Sequence, residues 1–389
     1  MPVDCRERIL SNDYYDAITD FPVWLLENYT DEQCYASVEG LYNIIYFGRD
    51  ELRDPQDYFS AYRGVPKLYG LMQEGGGLGA FDPNSLIASG ITQVQREPLA
   101  LTGRGVIICC IDTGIDYTDP VFRNEDGTSR ILAIWDQTIQ TGEPPEGFLY
   151  GTEYTREDIN RALQSQDPYS VVPSRDEIGH GSSMASVAAG SRLSGGYQFQ
   201  GAAPNADIVV VKLKECKPYL RDFYLVPHGV PIYQENDIML GVQYADGFAE
   251  PFRRPVVICI GLGTNYGDHT GNSPLGRYLS AIAVKRSRAV VVAGGNEGNA
   301  AHHFHGQLNN QGTAGANSRA VEVRVEQGAE GFFLELWGSL PDIFTMAIRT
   351  PGGETIPPVR LGVRDSISYS FIYEKSRVNG TDYLVECTS

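Results

Sequence analysis

Gly105-Val-Ile-Ile-Cys-Cys-Ile-Asp112-Thr-Gly114 is an uninterrupted apolar run that ends on a carboxylate and a glycine turn. It has the length of a strand and no polar alternation, the pattern of a strand buried on both faces. Three more runs share it: Ile208-Val-Val-Val-Lys-Leu213, Val256-Val-Ile-Cys-Ile260 and Ala289-Val-Val-Val-Ala293. Helical patterns lie between them. Asn236 to Glu250 puts Ile238, Val242 and Ala245 on one face, and Pro274 to Arg288 opens on proline and closes on basic residues. Residues from about 80 to 315 therefore read as α/β, a parallel sheet with helices on both faces.

The flanks have a different texture. Residues 1 to about 75 mix acidic and aromatic side chains, with a strand-like alternation over Tyr42-Asn-Ile-Ile-Tyr-Phe47. They close on Gln73-Glu-Gly-Gly-Gly-Leu-Gly79, which reads as a linker or processing region. After about 317, Val321-Glu-Val-Arg-Val325 alternates with period two. Phe332–Trp337, Phe344–Ile348 and Ser368–Ile372 follow, separated by Pro/Gly turns, as in antiparallel β of the sandwich kind. The expected division is 1–75, 76–316 and 317–389.

A chain of 389 residues with 42% hydrophobic and 21% charged content has ample material for a core. Its formal charge of -18 argues against a nucleic-acid partner, which needs a basic surface. No apolar run reaches membrane-spanning length, and Met-Pro-Val-Asp-Cys-Arg-Glu-Arg at the start lacks the apolar core of a secretory signal. Of seven cysteines, Cys109, Cys110 and Cys259 sit inside apolar runs, where a reduced thiol behaves as a small hydrophobe. The expectation is a reducing compartment such as the cytoplasm, with no disulfide framework.

Three residues carry the chemistry. Asp112 stands at the carboxyl end of a parallel strand, where open α/β sheets build their sites. His180, in Gly-His-Gly-Ser-Ser-Met-Ala-Ser-Val-Ala-Ala-Gly, opens a helix of small residues, with Met184, Val187 and Ala188 expected on the face packed against the sheet. A histidine oriented by a carboxylate can take a proton from a hydroxyl and return it to a leaving amine. Asn296, in Val290-Val-Val-Ala-Gly-Gly-Asn-Glu-Gly298, is placed to aim an amide at a developing oxyanion.

Asp-Thr-Gly, Gly-His-Gly-Ser and Gly-Asn-Glu-Gly, in this order, resemble the subtilisin-like serine proteases, the subtilases. The resemblance implies catalytic roles for Asp112, His180 and Asn296, and a substrate-binding wall at Gly261, Leu262 and Gly263. It implies a protein or peptide substrate and no cofactor. Val65-Pro-Lys-Leu-Tyr-Gly-Leu71, Ser89–Gln95 and Gly295–Phe304 are similar to the clostridial subtilases of spore germination. That likeness implies an N-terminal propeptide that inhibits its own enzyme, a jelly-roll inserted between asparagine and serine, a cortex-lytic zymogen as substrate, and a spore-associated location as the alternative to a cytoplasmic one.

The nucleophile is missing from the pattern. Gly127-Thr128-Ser129 matches the serine motif in letters, but it falls between Asp112 and His180, after a turn and before a strand. Thr388-Ser389 has no chain after it to form a helix. Ser182, Ser183 and Ser186 lie on the histidine's own helix and read as packing residues. The expectation is a chain cut short before its serine. The alternative is a pseudoprotease that binds without cutting.

Other readings fare worse. Asp-Thr-Gly is also the aspartic-protease signature, but one copy in an α/β region lacks its second half. A dinucleotide enzyme would need Gly-x-Gly-x-x-Gly where Asp-Thr-Gly stands. The glycines at 75–79 lack the Gly-Lys-Ser/Thr of a phosphate loop. His302, His303 and His305 have no partner at zinc spacing, no carboxylate cluster compels calcium, and Asp116 reads as structural.

Overall fold

The computed structural model describes residues 5–21, 34–51, 64–72, 84–192, 200–308, 318–325, 331–338, 345–360 and 381–388. The glycine-rich stretch 73–79 and the expected strand at 368–372 lie outside them. The chain forms two compact units, one of Met1–Arg221, His228–Thr264 and Gly271–Asn296, the other of Asp222–Pro227, Asn265–Thr270 and Glu297–Ser389. Among the described residues no helix is long and apolar enough to cross a membrane.

The first unit is built on a six-stranded sheet. Its members are β5 (Ile107–Asp112), β6 (Ile131–Asp136), β7 (Thr152–Thr155), β8 (Asp207–Lys212), β10 (Val256–Ile260) and β12 (Arg288–Val292), in the order β12-β10-β5-β8-β6-β7. All pairings are parallel except β6 with β7. The apolar runs of the sequence become strands because they bury both faces. Ile107, Cys109 and Ile111 face one core with Val209 and Val211, while Ile108 and Cys110 face the other with Ile208 and Val210. Each such Val or Ile adds about 1.5–3 kcal/mol by leaving water.

Helices cover both faces. On one side the helices α4 (Glu235–Gly247) and α5 (Pro274–Ala283) bury Ile238, Val242, Ala245, Leu275, Tyr278 and Ile282. On the other, α2 (Arg156–Gln164) and α3 (His180–Ala189) bury Ile159, Ala162, Ala185 and Ala189. The face of α3 differs from the sequence expectation. Met184 and Val187 are 39% and 41% exposed, and the packed face is Gly181, Ala185 and Ala189. Backbone proximity explains the change: a Cβ at Gly181 would stand 2.3 Å from the Gly114 carbonyl oxygen. Only the small residues fit there.

Two small sheets join this unit. Ahead of them stands helix α1 (Cys5–Leu10), and β1 (Tyr14–Thr19), β2 (Cys34–Val38) and β3 (Tyr42–Gly48) form an antiparallel sheet with β3 central. The second combines β4 (Leu68–Leu71), β9 (Ile232–Gln234) and β11 (Leu262–Gly263), with β4 in the middle. Asp16 on β1 fastens the N-terminal sheet. Its carboxylate is fully buried and accepts from Lys217 Nζ at 2.5 Å, Gln234 Nε2 at 2.7 Å and Asn236 Nδ2 at 3.2 Å. Lys217 Nζ also donates to the Arg8 and Tyr14 carbonyls. A buried charge persists only when its partners replace water this fully.

Cys5 and Cys34 form a disulfide, which corrects the expectation of a chain without one. Cys109, Cys110, Cys216 and Cys259 are free, so the reading of the apolar-run cysteines held. What it lacked was the docking of α1 beside β2, which brings two cysteines 29 residues apart together.

The second unit carries an antiparallel sheet of β13 (Ser318–Val325), β14 (Thr345–Arg349), β15 (Thr355–Arg360) and β16 (Thr381–Thr388), ordered β13-β16-β14-β15. Phe332 to Trp337 was expected to be a strand and is not. Phe333 instead packs its ring among Phe223, Tyr224 and Tyr266, and Glu335 accepts from the Gly267 amide at 2.6 Å. Side-chain anchoring takes the place of strand pairing.

Two substitutions test this architecture. Asp16→Ala strands the Lys217 charge in the interior and should cost about 3–5 kcal/mol in denaturant unfolding. Gly181→Ala should cost about 1–3 kcal/mol or more by overpacking, whereas Ser183→Ala, on the part-buried side of the same helix, should cost under about 1 kcal/mol.

Candidate active site

Asp112 is the last residue of β5, and His180 is the first of α3. Gly179 before it takes a left-handed conformation (φ 85°), turning the chain so that the helix starts against the strand end. The His180 ring Nδ1 lies 2.7 Å from Asp112 Oδ1, and the two residues are 4% and 2% exposed. The Thr113 amide donates to the same oxygen at 2.7 Å. The pair therefore holds a single ring orientation and a single tautomer, with the proton on Nδ1.

Asp176, which sequence reasoning passed over, fixes the helix start. Its Oδ1 accepts from Thr113 Oγ1 at 2.7 Å and the Gly179 amide at 2.8 Å. Its Oδ2 accepts from Ser182 N at 2.8 Å and Oγ at 2.7 Å. Burial alone would raise this carboxyl, but those bonds hold it below its ordinary value. Thr113 Oγ1 in turn accepts from the Gly181 amide at 2.8 Å. Strand end and helix start are thus tied through Thr113 and Asp176. A carboxylate four residues before a helix whose own cap is glycine was the signal available in the sequence.

The hydrogen bond to Asp112 raises the His180 ring above its ordinary value, against the opposing effect of burial. The backbone of Met72 pushes the ring in the same direction as Asp112. Nδ1 is engaged with Asp112, which leaves Nε2 as the ring nitrogen that can act as a base.

Gly261, Leu262 and Gly263 follow β10 and lie beside this pair. A Cβ at Gly261 would stand 2.6 Å from Asp112 Oδ2 and 3.1 Å from His180 Cε1. The wall already holds a strand, the chain's own β4. Leu262 pairs with Leu71 and Gly263 with Gly70, while β9 flanks the other side at Leu68, Tyr69 and Gly70. The Met72 amide donates to the Gly261 carbonyl at 3.4 Å. Asn296 comes four residues after β12 and is exposed, and among the described residues no hydrogen bond joins it to Asp112 or His180. Its neighbour Gly295 is the nearer element, since a Cβ there would lie 3.9 Å from Met72 Sδ.

No described serine stands beside Nε2 of His180. Ser129 follows a turn closed by Asn124 and Gly127, is 1% exposed, and accepts from the Ile131 amide. Ser182 Oγ serves Asp176 and the Asp116 amide, Ser183 Oγ the Gly179 carbonyl, and Ser186 Oγ the Ser183 carbonyl. Asp116 accepts from Thr118 and Tyr169. In the second unit, His302 Nδ1 lies 2.7 Å from Glu297, and His269 stacks near His303.

Comparisons with known proteins agree on one family. The subtilase family profile matches residues 103–329. A search of curated proteins finds no match. Among solved structures, the chain is similar to the CspB protease of Clostridium perfringens, at 25% identity and a TM-score of 0.59, over 79% of this chain and 60% of that one. The chain thus spans about three-fifths of that protease's length. With an aspartate-histidine pair at the carboxyl edge of a parallel sheet and a family match across more than half its residues, the chain belongs to the subtilase family.

Proposed function

We propose that this protein is a subtilisin-type serine endopeptidase made as a zymogen, with its nucleophilic serine on chain that follows residue 389. The observation that carries the reading is the buried 2.7 Å contact between Asp112 and His180, beside a wall at Leu262 and Gly263 that pairs with an extended strand. Asp112 holds the imidazole so that neutral Nε2 takes the proton of a serine hydroxyl as it attacks the substrate carbonyl. The resulting imidazolium is stabilised by Asp112 and returns the proton to the leaving amine. Water then repeats the sequence on the acyl-enzyme. Asn296 supplies the oxyanion donor, a role worth about 2.7–4 kcal/mol where it has been measured, in subtilisin itself.

Residues 1–75 act as the inhibitory propeptide. Supporting this, β4 fills the wall at Gly261–Gly263, and Asp16 anchors the preceding sheet through Lys217. The resemblance to germination subtilases and the similarity to the CspB protease support a cortex-lytic zymogen as the substrate in trans. The family order of aspartate, histidine, asparagine and serine supports a Gly-Thr-Ser motif downstream, after the β region from 317, which we read as the start of a jelly-roll. A glycine or threonine in place of that serine would instead make the cleft a binding module.

Two measurements test the reading. In protein that includes the serine, His180→Ala should abolish separation of the N-terminal segment on a denaturing gel; normal processing in that variant would falsify the assignment. The second is pH dependence. A raised histidine lends stability in full below its ordinary value of 6.5 and loses it as pH rises through the folded value. Activity runs the other way, because the base must be neutral. kcat/KM should therefore climb through an inflection above 6.5, and Asp112→Asn should move that inflection down while costing about 10⁴ in kcat.

A further inference from the structure

We propose that the protein binds a small phosphorylated molecule at the end of the sheet opposite to Asp112 and His180, its phosphoryl group held by Arg104, Arg130 and Arg254. These three arginines line a cavity of about 450 Å³ together with a single acid, Asp207. The cavity lies where strands begin. Arg104, Arg130 and Arg254 stand three, one and two residues before β5, β6 and β10, and Asp207 is the first residue of β8. β5 reaches Asp112 only at its far end, about 17 Å further on.

Positive charge here is fixed in place and poorly matched. Arg130 is 4% exposed. Its Nη1 donates to the Ala206 carbonyl at 2.7 Å, and its Nη2 to the carbonyls of Val121, at 3.1 Å, and Ala189. Its buried Nε has no hydrogen-bond partner among the described residues. Burial pushes this guanidinium down to about 10, with Asp207 opposing the change. Arg254 is pinned by the Gly105 and Val106 carbonyls at 3.0 Å each. Its Nη2 also meets Asp207 Oδ2 at 2.6 Å, while Arg156 of α2 takes Oδ1. One carboxylate thus serves two guanidinium groups, and Arg104 has no side-chain partner among the described residues. A chain of formal charge -18 therefore carries a local excess of cation here. Buried charge is costly without a counterpart, and an anion in the cavity would match it.

The donors select the chemistry of that anion. They come from three separate segments and line one cavity. A carboxylate offers two oxygens in one plane and suits a single guanidinium fork, whereas a phosphomonoester offers three oxygens and nearly two charges. The volume falls within the range of about 300–1,000 Å³ usual for small-molecule sites, which leaves room for the group that carries the phosphate. Asn124 and Asn205 also line the cavity, but their amides donate to Thr128 and Thr102. Recognition of the anion is left to the arginines.

Titration calorimetry of residues 1–389 tests this, with orthophosphate, glycerol 3-phosphate and malonate at one fixed ionic strength, so that screening stays constant. Glycerol 3-phosphate should bind at least as tightly as orthophosphate, and about tenfold or more tightly than malonate. Arg104→Gln should weaken its binding about tenfold or more, and Asn124→Ala should change it by less than about twofold. Arg104 is exposed and unbonded, so without ligand R104Q should unfold at the same temperature as the unaltered protein. Lost binding is then not lost fold. Equal affinity in R104Q, malonate binding as tightly, orthophosphate binding while glycerol 3-phosphate is excluded, or no binding at all overturns the proposal. None of these outcomes touches His180, so the endopeptidase reading stands or falls separately.

Discussion

A carboxylate sealed from water at the end of a parallel strand must be given partners, and the arrangement around Asp112 follows from that requirement. Oδ1 takes the Thr113 amide and the His180 ring, which forces α3 to begin against β5. That start in turn needs a left-handed Gly179, a side-chain-free Gly181 and a carboxylate, Asp176, to gather the loose amides of the first turn. The neighbouring strand must then pass over the pair without a side chain, which Gly261 permits. One buried charge thereby dictates four residues on two separate stretches of chain.

The sheet answers a different demand. β5 and β8 present apolar side chains to both faces, so neither can sit at an exposed surface, and helices on both sides are the only economical cover. This part was legible in the sequence because a continuous apolar run has few alternative homes. Asp112 and His180 were legible for a related reason: each interrupts a regular pattern at an element boundary with a residue whose chemistry is conspicuous.

The less legible parts depend on contacts between distant segments. The Cys5–Cys34 bridge and the Asp16–Lys217 pair join residues whose local sequence says nothing of each other. The packed face of α3 was misread because helical periodicity ranks residues by hydrophobicity, whereas here distance of approach decides. Met184 is more apolar than Gly181 and still faces outward. The strand expected over Phe332–Trp337 failed for the converse reason: its aromatic residues suit a strand equally well, but Phe333 finds three rings to pack against. Asn296 is legible by motif alone, and the residue is exposed.

The attachment of Asp16 also bears on the order of events during synthesis. Its partners Lys217, Gln234 and Asn236 are 201, 218 and 220 residues further along the chain. At about 5–20 residues per second on the ribosome, the N-terminal sheet emerges roughly 10–40 s before the groups that neutralise its buried charge exist. Until then Asp16 must stay hydrated, which keeps the face that carries it open to water. The sheet that is made first is among the last to be locked, so its docking reports completion of the core beneath it.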